Sequence, residues 1–331
     1  NFVKNILIVS TTGMGDCLWG TPGIRALKKC FPSVGIDLLI QPKWQSLYYG
    51  SPYIRRLIPY HPQWYRQLLL LPQSLRIHYD HTLIFHANKD IGRLLPWLKC
   101  SSIWAHQKLP NVSPNRCIQF AQRTHPIMRR AAVLLKAGVS LDGAQMDVFL
   151  NDSDLAESIN FLKQHQMAPK EFIYLNTGAS LPHKQYPTDR TVLLAKHILK
   201  TTSLNIVLGG GPNDASQIDS IENQLDQKRV TRACHRTIRA NCALISQARL
   251  MITTDTGPMH IGFALKVPTI ALFGPTRPED SGPFQIEPEF YRVLRSNALD
   301  TETHASPHKS NFFDSITVDM VWKEVNYFLD G

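Results

Sequence analysis

Short, nearly uninterrupted apolar runs alternate along this chain with longer segments whose apolar residues recur at helical spacing. Lys4–Ser10 reads as a strand, followed by a glycine-bearing turn and a helix ending near Lys28–Cys30. Gly35–Ile40, Ile54–Ile58 and His81–Phe85 read as further strands, with Ser102–Ala105 a weaker one. Ile118–Ala137 reads as one long helix stopped by Gly138. A polar helix occupies the stretch near Asn151–Lys170, and the alternation then restarts. Strands are expected at Phe172–Asn176, Asn205–Leu208, Arg249–Thr254 and Thr269–Phe273, with helices at Asp189–Leu199, Ala215–Leu225 and Met259–Leu265. One more helix precedes Arg249, and an amphipathic helix, Val318–Leu329, comes last. Strands that carry apolar residues on both faces, separated by helices, predict a doubly wound, largely parallel α/β sheet. The change of pattern near 151–170 predicts two Rossmann-like domains, 1–165 and 166–331. Each is long enough to bury its own core. Two such domains facing one cleft would bring two substrates together at the carboxyl ends of their strands.

Composition adds little and charge adds more. With 331 residues, 43% hydrophobic and 19% charged, the chain reads as an ordinary globular protein. No apolar run approaches the roughly 20 residues of a membrane-spanning helix. The opening Asn1–Val9 is too short and strand-like for a signal peptide, and the missing Met implies a few residues removed. The six cysteines form no C-x-x-C pair, which suits reduced thiols in a cytosol. Residues 1–150 carry 18 Lys and Arg against 6 Asp and Glu, a balance of +12, while the remainder stands at −2. The basic first half is thus expected to meet something anionic: a phosphorylated glycolipid, a membrane surface or nucleic acid. A merely solvated basic surface is the bland reading.

The candidate chemistry sits in turns that follow strands. Asp255, Thr256 and Gly257 end one strand, and Pro258 begins a helix where no amide hydrogen is needed. Free amides and the helix dipole there suit a phosphate, and capping alone is the plainer role. Leu272–Thr276 closes the neighbouring strand with a second turn, which favours the phosphate site. Thr12, Gly13, Gly15 and Asp16 form the turn after the first strand. The run lacks the third glycine of G-x-G-x-x-G, because Leu18 stands there, and it is not a P-loop. A nicotinamide site is therefore not expected. Asp16 is either a helix cap or a general base. Asn176–Ser180, including Thr177 and Gly178, ends a strand ahead of Lys184, either a surface lysine or a charge for a leaving diphosphate. Gly209–Asp214 is one more tight turn. No histidine spacing suggests a metal. No basic run interleaves with aromatics, so no nucleic acid is expected as partner.

Several of these blocks together resemble glycosyltransferase family 9, the ADP-heptose:lipopolysaccharide heptosyltransferases. They are Gly15-Asp16, Thr21–Lys28 with Phe31-Pro32, Lys184-Gln-Tyr186-Pro187, Asp255–His260, and Leu272–Thr276 with Gly282-Pro283. The resemblance implies a GT-B fold, with acceptor in the amino-terminal domain and sugar nucleotide in the carboxyl-terminal one. It implies inverting, metal-independent transfer of heptose from ADP-heptose to the lipopolysaccharide inner core, without a cofactor. Asp16 would deprotonate the acceptor. Lys184 and the amides of Thr256 and Gly257 would hold the diphosphate, with Thr177, Gly178, Asp255 and His260 alongside. Asp214 stands where the family commonly has a ribose-binding Glu, and Tyr186 where Trp is usual. The stretch Asn297–Asn311 lacks the cysteines of many relatives. An anionic glycolipid acceptor implies a cytoplasmic enzyme peripheral at the inner membrane, and nothing indicates the oligomeric state. Two other readings remain open at this point. One is a family 9 transfer with another donor or acceptor, and the other is a non-catalytic basic binding protein on a GT-B scaffold.

Overall fold

The computed structural model describes residues 3–297 and 312–330. The chain divides into two compact units, Asn1–Phe149 and Leu150–Gly331. The boundary expected at 165/166 falls after the polar helix Asp152–Gln164, whereas this division groups that helix with the second unit. From residue 298 on, the cysteine-free stretch noted above lies outside the described residues.

The first unit contains β1 (Asn5–Ser10), α1 (Met14–Cys30), β2 (Gly35–Ile40), β3 (Arg56–Pro59), α2 (Trp64–Leu70), β4 (His78–Tyr79), β5 (His81–His86), β6 (Lys99–Cys100), β7 (Ile103–Ala105) and α3 (Pro126–Leu135). Its main sheet is parallel in the order β3-β2-β1-β5-β7, with β4 and β6 forming a small parallel pair. Ile6–Val9 and Leu38–Ile40 are fully buried, as expected of strands covered on both faces. Helix α1 carries Pro22 in its interior, which leaves the Leu18 carbonyl without its usual amide partner. The Thr21 hydroxyl donates to that carbonyl at 2.7 Å and repairs the gap. Gly23 lets α1 press against β5 and α3. A Cβ there would come within 3.0 Å of both Phe85 and Leu134. The Thr-Pro-Gly motif thus lets the middle of α1 pack closely against the sheet and α3.

The long helix expected at Ile118–Ala137 is only Pro126–Leu135. Proline disfavours helical geometry in the residue before it, so the helix starts at Pro126, with His125 as its cap. His125 Nδ1 accepts the Ile127 amide at 3.3 Å.

The second unit contains α4 (Asp152–Gln164), β8 (Phe172–Asn176), α5 (Thr188–Thr201), β9 (Asn205–Gly209), α6 (Ala215–Glu222), β10 (Val230–Arg232), α7 (Ile238–Ser246), β11 (Leu250–Thr254), α8 (Gly257–Ala264), β12 (Thr269–Phe273), α9 (Pro278–Ser281), β13 (Tyr291–Arg295) and α10 (Val318–Asp330). All pairings are parallel, in the order β10-β9-β8-β11-β12-β13. Helix α4 is tied to this unit by ion pairs from Asp154 to Arg239 and from Glu157 to Arg236. In both units the loops after the carboxyl ends of the central strands carry the residues singled out from the sequence.

Candidate active site

In the first unit, Asp16 lies in the first turn of α1, directly after β1. It does cap that helix, since its Oδ2 accepts the Gly13 amide at 3.2 Å. It also does more. Oδ2 accepts the Thr12 hydroxyl at 2.8 Å, and Oδ1 accepts Arg130 Nη2 from α3 at 2.9 Å. A carboxylate offers about four acceptor positions. Three are taken, and the side chain retains 20% exposure, so one lone pair remains open to an incoming hydroxyl.

Burial pushes the Asp16 carboxyl upward, but the Arg130 guanidinium, followed by His86 and the Thr12 hydroxyl, outweighs it and holds it below the ordinary carboxylate value. Asp16 is therefore an anion throughout the physiological range, ready before any substrate arrives. The same Arg130 Nη2 reaches the Asp16 carbonyl at 3.2 Å, and Nη1 donates to the Pro126 carbonyl at 3.0 Å.

Thr12 links Asp16 to His86 at the end of β5, with its hydroxyl 2.8 Å from His86 Nδ1. A hydroxyl has one proton, and here it is given to Asp16. Nδ1 of His86 must then be the protonated ring nitrogen, donating to Thr12. Burial holds His86 below the usual histidine value despite the pull of Asp16, and Arg130 and Arg129 add to the depression. His86 is accordingly a neutral imidazole at neutral pH. The turn itself is fixed by Gln41 Nε2 on the Thr11 carbonyl at 2.9 Å and by Trp44 Nε1 on the Thr12 carbonyl at 3.0 Å. Sequence reasoning found Thr12, Gly13, Gly15 and Asp16 but missed His86, Arg130, Gln41 and Trp44. These lie 25 to 114 residues from Asp16, and no spacing signal connects them.

The second unit's strand ends are built differently. Asn176 ends β8 and Thr177 and Gly178 follow it, Gly209 ends β9 and Gly210 and Gly211 follow it, Asp255–Gly257 follow β11 and Gly274–Thr276 follow β12. Helix α8 starts at Gly257 with Thr256 as its cap residue, and no side chain caps it. Pro258, within its first turn, has no amide hydrogen to satisfy. Asn176 Nδ2 reaches across to Thr253 Oγ1 at 3.1 Å and Thr256 Oγ1 at 3.3 Å, which fixes one turn against the next. Asp255 is nearly buried and accepts the Ser281 hydroxyl at 3.0 Å, tying the turn to α9. Thr177 donates its hydroxyl to the Gly209 carbonyl at 3.0 Å, and His260 is buried on α8.

Asp214 is held inward. Its Oδ2 accepts the Gly211 amide at 2.7 Å, and Oδ1 accepts Gln185 Nε2 at 3.2 Å. Gly178 makes room for it, since a Cβ at that position would lie 2.2 Å from Asp214 Oδ2. Lys184 ends a 3-10 turn, half-buried, and pairs with no carboxylate among the described residues. Tyr186, two residues on, is buried and donates to the Ile316 carbonyl at 2.9 Å, which anchors the Lys184 loop. Two buried polar atoms at this edge, Asn176 Oδ1 and Thr276 Oγ1, have no hydrogen-bond partner among the described residues. Buried polar atoms are rarely left so, and a bound polar ligand is one way to satisfy them.

A model of Glycosyltransferase family 9 (heptosyltransferase) matches residues 103–308, a span that covers α3 and most of the second unit but not the Asp16 turn. Lipooligosaccharide heptosyltransferase 2 of Campylobacter jejuni is 23% identical over 284 residues, 85% of this chain and 84% of that protein. The protein of the same name from Haemophilus influenzae is 23% identical across 98% of this chain and 99% of its own length. Among solved structures, a family 9 glycosyltransferase of Veillonella parvula superposes with a TM-score of 0.83 at 21% identity, over 98% of this chain and 97% of that one. The E. coli ADP-heptose LPS heptosyltransferase II gives 0.79 at 18% identity, covering 98% of each chain. The fold is therefore the GT-B α/β fold of two Rossmann-like units, as expected from the strand and helix pattern. The chain belongs to glycosyltransferase family 9 (heptosyltransferase) and is a glycosyltransferase.

Proposed function

We propose that this chain moves a heptose from ADP-heptose to an anionic glycolipid of the lipopolysaccharide inner core, by a single inverting displacement that needs no metal or cofactor. The observation that carries the reading is the Asp16 carboxylate, ionised by Arg130 and with one acceptor position open. Asp16 takes the proton of the acceptor hydroxyl as that oxygen attacks the anomeric carbon. The C–O bond to ADP breaks on the opposite face, and the electron pair leaves with the diphosphate. Lys184 and the amides of Thr256 and Gly257 meet that growing charge, as preorganised donors do at developing anions. Thr177, Gly178, Asp255 and His260 shape the donor site. Asp214 takes the ribose through whatever acceptor capacity its two intramolecular bonds leave.

The depressed Asp16 carboxyl makes it a weak base in isolation. A weak, permanently ionised base suits a late proton transfer, in which the hydroxyl becomes acidic only as its oxygen bonds to carbon. The basic first half places the acceptor's carboxylates and phosphates, and the enzyme works at the cytoplasmic face of the inner membrane. The names of the relatives, heptosyltransferases of lipooligosaccharide and lipopolysaccharide, support this substrate class.

The test is thermal stabilisation of the full chain by ADP, UDP, GDP and NAD, followed by turnover with ADP-heptose. A ligand at about 100 times its Kd adds roughly 2.7 kcal/mol to a native state that alone binds it. ADP should raise Tm most. A larger shift with UDP or GDP would replace the donor while leaving glycosyl transfer in place.

A further inference from the structure

Helix α2 is inside out. Its one fully buried residue is polar: Gln67 donates to the Pro59 carbonyl at 3.0 Å and accepts the His61 amide. Apart from Arg66, its exposed residues are Leu69 at 78%, Tyr65 at 52% and Leu70 at 41% exposure. Spacing of four places Tyr65 and Leu69 on one outward stripe. Beside it Trp97, 54% exposed, stacks on Trp64 with ring centroids 5.8 Å apart. A contiguous exposed patch of this kind on a globular protein marks an interaction surface.

The surrounding charge says what the patch meets. Arg66, Lys89, Arg93 and Lys99 are exposed around it, and none pairs with a carboxylate among the described residues. Residues 38–79 contain no Asp or Glu, and neither do residues 91–141. Asp90, the one acid near the patch in sequence, accepts the Tyr60 hydroxyl at 2.5 Å. Trp and Tyr with Leu between, ringed by Arg and Lys alone, is the composition of a segment that lies in the headgroup layer of an anionic bilayer. Among the described residues no helix is long and apolar enough to cross one.

We propose that α2 and the Trp97 turn form the surface by which this protein docks on an anionic phospholipid bilayer, with Tyr65, Leu69, Leu70 and Trp97 entering the interface and the four cations engaging headgroups. The proposal deepens the reading of a glycolipid acceptor by naming where the membrane is met, and it rests on that reading only for its purpose.

Flotation of the full chain with phosphatidylcholine vesicles containing about one-third phosphatidylglycerol, against phosphatidylcholine alone, tests it. The wild type should float with the anionic vesicles only. Arg66→Glu should weaken partitioning by about fivefold or more, the contribution of one cation near an anionic surface. Leu69→Ser combined with Trp97→Ser should abolish flotation. Both variants should keep the wild-type Tm and the wild-type turnover toward a deacylated, water-soluble acceptor. Failure of the wild type to float, or flotation indifferent to these substitutions, overturns the proposal. So does a lipid-free dimer in ultracentrifugation that the same substitutions dissociate, since the patch would then serve a second copy. Loss of all turnover with flotation intact would overturn the transfer reading and leave the docking surface standing.

Discussion

The two Rossmann-like units end their central strands in opposite chemistry. After β1 and β5 the first unit gathers side chains: a carboxylate, a buried guanidinium, a hydroxyl and a neutral imidazole, all hydrogen-bonded in sequence. After β8, β9 and β11 the second unit offers mostly backbone. Glycines let loops approach each other, and Asn176 clasps neighbouring turns, while α8 begins with uncapped amides. Side-chain networks tune the charge of one group, and exposed amides accept an anion brought from outside. On the function proposed above, one fold would supply, at equivalent places, a group that handles protons and a cradle for phosphate.

The largest break in this contrast should come from Asp16→Asn. The amide can still accept from Thr12 but cannot take a proton, so kcat should fall by about a hundredfold to ten-thousandfold. Unchanged kcat in steady-state assays would remove Asp16 from the chemistry. Next is Arg130→Met, which strips the buried cation from its anion. Breaking such a pair costs about 3–5 kcal/mol, measurable by urea denaturation. Surviving enzyme should show the acid limb of its pH–rate profile moved toward neutrality, because the cation that holds Asp16 down is gone.

On the second unit, Lys184→Ala should lower kcat by about a hundredfold or more, the usual cost of losing one donor to a developing anion. A rise confined to KM, with kcat unchanged, would instead make Lys184 a binding residue only. The smallest effect concerns acid. Burial holds His106, stacked on His86, down to about 4 from an ordinary 6.5. Its folded value lies below its unfolded one, so its contribution to stability is complete above pH 6.5 and is lost as the pH falls toward 4. The loss is on the order of 3 kcal/mol. His106→Gln should flatten that part of a stability–pH curve, and an unchanged curve would count against a buried neutral His106.

Much of this architecture was legible in the chain. β2, β8 and β12 fall where their apolar runs predict, because strands buried on both faces leave little else in the sequence. β13 was missed since it is an edge strand, half-buried throughout, with arginines at Arg292 and Arg295. The over-long helix at Ile118–Ala137 came from reading periodicity through Pro126. At the sites, turn residues such as Asp16 and Thr256 announced themselves by their glycine and proline neighbours. Arg130 and His86 did not, since each sits in an ordinary apolar context and acquires its role only when α3 and β5 fold beside α1. Nothing in the sequence set Tyr65 and Leu69 apart, and only the buried Gln67 reveals which way α2 faces.

The division of labour between the two edges is tested most directly by calorimetric titration of the full chain with ADP, comparing wild type, Asp16→Asn and Lys184→Ala. The account predicts an unchanged Kd for Asp16→Asn and a Kd raised about tenfold or more for Lys184→Ala, in line with a lost hydrogen bond between charged groups. An ADP affinity that collapses on replacing Asp16 while surviving the loss of Lys184 would contradict it.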